Sequence, residues 1–234
     1  MTLRLTERAS QLVQGLLRRG PLGLRHTWRL SQILERGQGH EASRRSQRCL
    51  DAAGKAIPWF TYPAIEYLRQ FDLSDRRVFE WGSGNSSIWF AQRTKAVHSV
   101  EHDRAWADRA AAHPLPNLTV EWIAADAYPR AIDRDDARYD LIVIDAIERL
   151  GCAKAAPGHL AAGGLVILDN SDWFPNSAKA LREAGLLQVD MHGFGPINDY
   201  AWTTSIFFSR DCELKPLDGL QPHAPVGGLG HRCD

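Results

Sequence analysis

The sequence predicts an α/β fold, a doubly wound, mostly parallel seven-stranded sheet with an antiparallel last strand, preceded by N-terminal helices. Three observations predict it. Segments such as "YDLIVIDA" and "GLVILDN" are continuous apolar runs, the pattern of strands buried on both faces of a sheet. Segments of helical periodicity alternate with such strands along the middle of the chain. The last two strands, "LLQVDMHG" and "YAWTTSIFFSR", have only the loop "FGPIND" between them, which suits antiparallel pairing.

Residues 3–17 place Leu5, Ala9, Leu12, Val13, Leu16 and Leu17 at helical spacing, so an amphipathic helix is expected there. "RRGPLG" breaks it, a second helical stretch follows near Leu24 to Glu35, and "RGQGHEASRRS" reads as a linker. "PAIEYLRQF" is a short helix with Pro63 suited to its first turn. The strands "RVFEW", "AVHSVEH", "LTVEWIAAD", "YDLIVIDA" and "GLVILDN" follow. Between or after them come the helices "SSIWFAQR", "RAWADRAAAH", "CAKAAPGHLAAG" (interrupted by Pro157) and "NSAKALREAG". The expected division is a basic helical arm over residues 1–50, a main domain over 51–215 and an irregular Pro/Gly-rich tail over 216–234.

The 234 residues are 44% hydrophobic and carry 28 basic and 28 acidic side chains, an ordinary globular composition with no basic excess for nucleic acid. The balance is uneven. Residues 1–48 hold ten arginines against Glu7, Glu35 and Glu41. That arm reads either as helices packed on the domain with solvated arginines, or as a peripheral membrane or partner-binding element. An Arg-rich, acid-poor presequence is a third reading. Cys49, Cys152, Cys212 and Cys233 show no paired spacing, and no apolar run reaches the roughly 20 residues of a membrane span. The default expectation is a soluble cytoplasmic protein.

"VFEWGSGNSS" carries the chemistry. It leaves a strand and enters a helix, with Gly82 and Gly84 allowing close backbone approach to a ligand. A dinucleotide turn would read GxGxxG, but its third glycine position is Ser87 here. Glu80 just before the turn would repel a diphosphate and favour a cationic, amino acid-like ligand. A nicotinamide oxidoreductase is therefore the lesser alternative.

From this point the chain resembles the class I S-adenosylmethionine-dependent methyltransferases, over roughly residues 55 to 210. The resemblance rests on Glu80-x-Gly82-x-Gly84-x-Ser86, on Glu101 ending "HSVEHD", on Asp126 in "AADA", on Asp145 ending "LIVIDA", and on "LAAGGLVILDN". It implies S-adenosylmethionine as the methyl donor, held by Glu80, Gly82, Ser83, Gly84, Ser86, Glu101, His102, Asp126, Ala127 and Asp145. Glu101 would accept the ribose hydroxyls, Asp126 would read the adenine amino group, and Asp145 would face the methyl donor. The "DN" of Asp169–Asn170 is similar to that of the catechol-type O-methyltransferases, so a magnesium ion on Asp145, Asp169 and Asn170 is an alternative. Those relatives carry a lysine base where this sequence has Glu148. "HSVEH" also fits an inverted zinc-protease signature through His98 and His102, which requires a helix where the flanks read as a strand.

An oxygen nucleophile needs a base, and Asp145, Asp169 and Glu148 are the strand-end candidates, with His192 behind them. The acceptor surface is expected from "KAIPWFTYP" and "GFGPINDYAWTT". There Trp59, Phe60, Tyr62, Tyr200 and Trp202 could stack on a sugar or aromatic ring, or form core, and Asn170, Asn198 and Asp199 suit hydroxyl groups. The expected function is O-methylation of a small molecule or glycan. A catalytically idle relative that binds the donor, or only a partner, is the alternative.

Overall fold

The computed structural model describes residue 15 and residues 22–112, 114–134 and 136–229. The amphipathic helix expected over residues 3–17 lies outside the described residues, apart from Gly15. The described chain begins with α1 (Leu22–Gln32), which runs into a π-turn over Ile33–Gly37. α2 (His40–Ser46) and α3 (Tyr62–Leu68) follow. The α/β alternation is then β1 (Arg77–Trp81), α4 (Asn85–Ala91), β2 (Ala96–Glu101), α5 (Arg104–Ala111) and β3 (Leu118–Trp122). A 3-10 turn (Tyr128–Arg134) leads to β4 (Tyr139–Ile144), α6 (Arg149–His159), β5 (Leu160–Leu168) and α7 (Pro175–Glu183). β6 (Leu187–Gly193) and β7 (Trp202–Phe208) complete the sheet.

The strand order is β3-β2-β1-β4-β5-β7-β6. β7 lies between β5 and β6 and is antiparallel to both, while the β1–β5 pairs are parallel. The apolar runs have the cause expected of them, because both faces of the sheet are covered. In β4, Leu141 and Val143 pack into a cluster with Ile65, Trp89 and Ile206. Ile142 and Ile144 point the other way, against Phe79, Cys152 and Val166. This alternation is the two-residue period of a strand. The small residues Cys152, Ala153 and Ala156 are buried on α6, which lets that helix lie close to the sheet.

Three expectations about local structure change. The "linker" over residues 36–46 is a π-turn and a helix, with His40 and Ser43 buried. The Ser43 hydroxyl donates to the Leu50 carbonyl and accepts from the Leu50 N–H, and His40 Nδ1 lies 3.1 Å from the Gly195 carbonyl. The second half of the basic arm is thus built onto the main domain, with Arg44 and Arg45 beside Glu35 and Glu41. The third strand stops at Trp122 and not at Asp126, because Ala124–Ala127 close a turn that delivers the buried Tyr128. "LAAG" after Pro157 belongs to β5 and not to the helix.

Residues 216–229 form no helix or strand beyond an isolated bridge from Pro216 to Phe71, and they are anchored. Leu217 N–H donates to the Gln70 carbonyl, His223 N–H to Gln70 Oε1, and Val226 N–H to Glu66 Oε2. No helix among the described residues is long and apolar enough to cross a membrane.

Candidate active site

The strand order reverses direction between β1 and β4, and in doubly wound sheets ligands bind at the carboxyl ends of the strands at that point. The turn Gly82–Gly84 leaves β1 there, and Asp145 leaves β4 beside it, its N–H donating to the Trp81 carbonyl at 3.0 Å. Gly82 has φ of +97°, and a Cβ at that position would overlap the Asp145 carbonyl oxygen. Only glycine fits. Gly84 differs, since its φ of 170° is extended and a Cβ there would meet no atom within 4 Å. The space in front of Gly84 is open.

That space belongs to a cavity of about 560 Å³. Gly82, Ser83, Gly84 and Ser86 line it from the turn, Glu101 and His102 from the end of β2, and Asp145 from the end of β4. Glu101 is 6% exposed. Its Oε2 accepts from the Ser83 N–H and its Oε1 from the Asp103 N–H, each at 2.9 Å. A carboxylate offers about four acceptor sites, so both oxygens keep capacity for a ligand. His102 Nδ1 is 2.9 Å from Glu101 Oε1. Ser83 Oγ is buried with no hydrogen-bond partner among the described residues, a polar group waiting for one.

Glu80 takes a different place from the one expected. It is fully buried beneath the turn and off the cavity wall. Ser87 and Ser99 donate their hydroxyls to its Oε2, the latter at 3.0 Å, and Ser87 Oγ also accepts the Gly84 N–H at 3.1 Å. Glu80 therefore ties the turn together from below. Oε1 has no partner among the described residues. Burial pushes the Glu80 carboxyl up to about 7, against the pull of the Ser86, Ser87 and Ser99 hydroxyls. A carboxyl raised in the folded state binds its proton more tightly than in the unfolded chain. Stability is therefore lost as pH rises from the unfolded value of 4.5 through about 7. Urea titrations should show the unfolding free energy falling by on the order of 2 kcal/mol between pH 5 and pH 8, and Glu80→Gln should shrink that difference. An undiminished pH dependence in Glu80→Gln would remove the assignment.

Asp145 and Asp169 end neighbouring strands but have separate surroundings. Asp169 is 3% exposed and off the wall, and its Oδ1 accepts from Trp202 Nε1 at 3.0 Å and Thr204 Oγ1 at 2.5 Å. Burial raises its carboxyl well above the usual range, and the Asp145 charge adds to the rise. Burial also raises Asp145, with Arg149 opposing and Glu101 reinforcing the shift. The Arg149 guanidinium donates to Asp145 Oδ1 at 2.8 Å and to Asn170 Oδ1 at 2.9 Å. The three side chains read as magnesium ligands are thus committed elsewhere. A guanidinium already bridges two of them, and the third faces Trp202 and Thr204. They do not fit magnesium in this arrangement, and among the described residues no group of three His, Cys, Asp or Glu side chains is placed to hold a metal.

Several other expected residues stand apart from the cavity. Glu148 is exposed at the start of α6, and Asp126 and Ala127 are exposed in the turn after β3. Tyr62 is 3% exposed, with its hydroxyl 3.5 Å from His40 Nδ1, and Phe60 and Trp202 are core. Asn198 is half-buried off the wall, and Asp199 and His192 are exposed. His192 Nδ1 sits 2.7 Å from Thr203 Oγ1. Tyr200 is exposed, tilted against Trp173 at 6.1 Å and packed on Trp202 at 6.0 Å. His98 lies within strand β2, so the helix that a zinc-protease signature requires is absent there.

Trp59 is the one expected aromatic on the wall, and it is 40% exposed. The wall also takes Gln47, Arg48 and Cys49 from the arm, Trp106 and Arg109 from α5, and Ile197 from the last loop. Of these, Ile197 falls in the loop expected at the acceptor surface, and the sequence reading passed over the others. Trp106 had a signal: a tryptophan in the first turn of the helix that follows the acidic strand end, under an Asp103 cap that accepts its N–H at 3.0 Å. The arm residues had none, because their place depends on contacts such as Asn85 Nδ2 donating to the Cys49 carbonyl at 2.7 Å.

A seven-stranded sheet with a reversed β7 inserted between β5 and β6 decides the architecture. The chain has the class I S-adenosylmethionine-dependent methyltransferase fold. By sequence, no family model matches it and no curated protein matches it. Solved structures similar to this methyltransferase-fold chain include a precorrin-6y C5,15-methyltransferase from Geobacter metallireducens. That likeness is 14% identical, covers 63% of this chain and 86% of that one, and has a TM-score of 0.48. NodS, an N-methyltransferase from Bradyrhizobium japonicum solved with S-adenosyl-L-homocysteine, is 16% identical over 58% of this chain and 79% of its own, with a TM-score of 0.45. A spermidine synthase from Thermotoga maritima is 10% identical over 65% of this chain and 57% of its own, with a TM-score of 0.49.

Proposed function

We propose that the protein is an S-adenosylmethionine-dependent methyltransferase acting on a small molecule or glycan, at an oxygen atom. The observation that carries this reading is one cavity at the strand-order reversal, walled together by the Gly82–Gly84 turn, Glu101 and Asp145. The residues fit the donor. Gly84 leaves open space for close approach, Ser83 Oγ offers an unused hydroxyl, and Glu101 offers acceptor capacity to a pair of ribose hydroxyls. Trp106 and Ala110 supply an apolar wall on the α5 side. When bound, the donor supplies a methyl group already activated by a sulfonium.

The chain's own task is then alignment, exclusion of water and removal of the acceptor proton. Asp145 is the base this geometry favours among Asp145, Asp169 and Glu148, because it alone of the three lines the cavity. Arg149 holds Oδ1, which leaves Oδ2 to take the proton. Trp59 and Ile197, which line the same cavity, are the residues proposed to cover the acceptor. What weighs against a dinucleotide is the turn itself, whose third glycine position is Ser87 with its hydroxyl committed to Glu80 beneath; Glu101 would suit the ribose of either ligand.

The test is calorimetry of the purified chain with S-adenosylmethionine and S-adenosylhomocysteine. Micromolar binding of both is expected, followed by methyl transfer from labelled donor to hydroxylated acceptors. Folded protein that ignores both ligands at millimolar concentration ends this reading. Binding without transfer to any acceptor would leave the idle relative.

A further inference from the structure

We propose that Arg149 is a resident cation that joins the carboxyl ends of β4 and β5 and sets the orientation of Asp145, doing with a guanidinium what a bound divalent metal would do between the same oxygens. The proposal deepens the donor-cavity reading, and only its ligand-binding arm rests on that reading. Arg149 is the first residue of α6, directly after its N-cap Glu148, and its side chain is 13% exposed. Its Nη2 donates to Asp145 Oδ1 at 2.8 Å and to Asn170 Oδ1 at 2.9 Å, its Nε to the Asp169 carbonyl at 3.3 Å, and its Nη1 to the Ala146 carbonyl. Phe174 covers one face of the guanidinium at 4.4 Å. Four oxygens from two strand ends thus converge on one planar cation.

The geometry explains why this matters for Asp145. Its main chain is already fixed, with its N–H on the Trp81 carbonyl and its carbonyl packed against Gly82. Only side-chain rotation remains, and the bond to Arg149 removes it. The planar fork matters as much as the charge, because an ammonium group cannot present donors along three directions in one plane. Asn170 supports the same function. It holds a left-handed φ of 54°, which turns its side chain back toward Arg149.

The experiment uses the full chain and its Arg149→Ala and Arg149→Lys variants, with S-adenosylhomocysteine read by calorimetry and Mn²⁺ read by electron paramagnetic resonance. Wild-type protein should bind S-adenosylhomocysteine equally in EDTA and in Mg²⁺, and should hold no stoichiometric Mn²⁺. Arg149→Ala should bind the ligand about tenfold more weakly or worse, and millimolar guanidinium, far below denaturing levels, should restore most of the loss. Arg149→Lys should remain weak. A packing role alone would lower thermal stability without guanidinium rescue, and that result overturns the proposal. So does wild-type affinity in Arg149→Ala, or one Mn²⁺ in wild type that Asp145→Asn removes. If Arg149→Ala does not fold, Asn170→Ala removes one acceptor without touching charge and should weaken the ligand about threefold, and unchanged affinity counts against the role. If wild type itself ignores the ligand, the donor reading falls separately. Arg149 is then judged on melting temperature, where guanidinium should raise that of Arg149→Ala and not that of wild type, and equal responses overturn it.

Discussion

Gly82→Ala is expected to lose fold stability and the donor cavity together, whereas Gly84→Ala is expected to lose only the cavity. The two glycines sit two residues apart in one turn, and the difference comes from what surrounds each. At Gly82 the backbone is in the left-handed region, and the space beside it is filled by the Asp145 carbonyl. An added methyl must push β1 from β4 at the point where Asp145 N–H bonds the Trp81 carbonyl. Strain and lost contacts of this kind cost about 3 to 5 kcal/mol, or roughly 10 °C in melting temperature for a chain of this size. At Gly84 the backbone is extended and the added methyl meets nothing, so melting should move by no more than about 2 °C. That methyl would stand in the space reserved for ligand, and S-adenosylhomocysteine should bind about tenfold more weakly or worse. Equal effects of the two substitutions on melting would contradict the placement of the turn.

Glu101→Ala is expected to be the most damaging change for donor binding. The carboxylate caps two main-chain donors, Ser83 N–H and Asp103 N–H, and faces the cavity with its remaining acceptor capacity. Removal orphans both donors, at about 1 to 3 kcal/mol each where water cannot replace the lost acceptor. It also frees the Ser83 turn from β2 and deletes the acceptor for ligand hydroxyls. A loss of about a hundredfold in affinity for S-adenosylhomocysteine follows, with a measurable drop in melting temperature. Glu101→Gln, which keeps one carbonyl oxygen, should fall between the two. Affinity within threefold of wild type in a folded Glu101→Ala would show that the ligand binds elsewhere.

The fold was legible because both of its signals are local. "RVFEW" reads as a strand, and β1 is Arg77–Trp81, since a run of apolar and aromatic residues bounded by charge and glycine needs no distant information. The unlinked final pair gave the reversal of β7 in the same way. Boundaries failed where a distant residue decided them. The third strand ends early because Tyr128 turns inward to bond the Val100 carbonyl, and "RGQGHEASRRS" is ordered because His40 reaches the Gly195 carbonyl.

The candidate site divides along the same line. By itself the sequence determined that acidic side chains stand at or just after the ends of β1, β2, β4 and β5 and that a glycine turn leaves the first of them, because strand period and turn chemistry are properties of neighbouring residues. Only the tertiary structure decided which carboxylates line the cavity. Trp202 and Thr204 from β7 close over Asp169, Ser87 and Ser99 close over Glu80, and Arg149 turns Asp145 while leaving it on the wall. A carboxylate's depth and donors come from whichever chain segments pack across it, and those segments are remote in sequence.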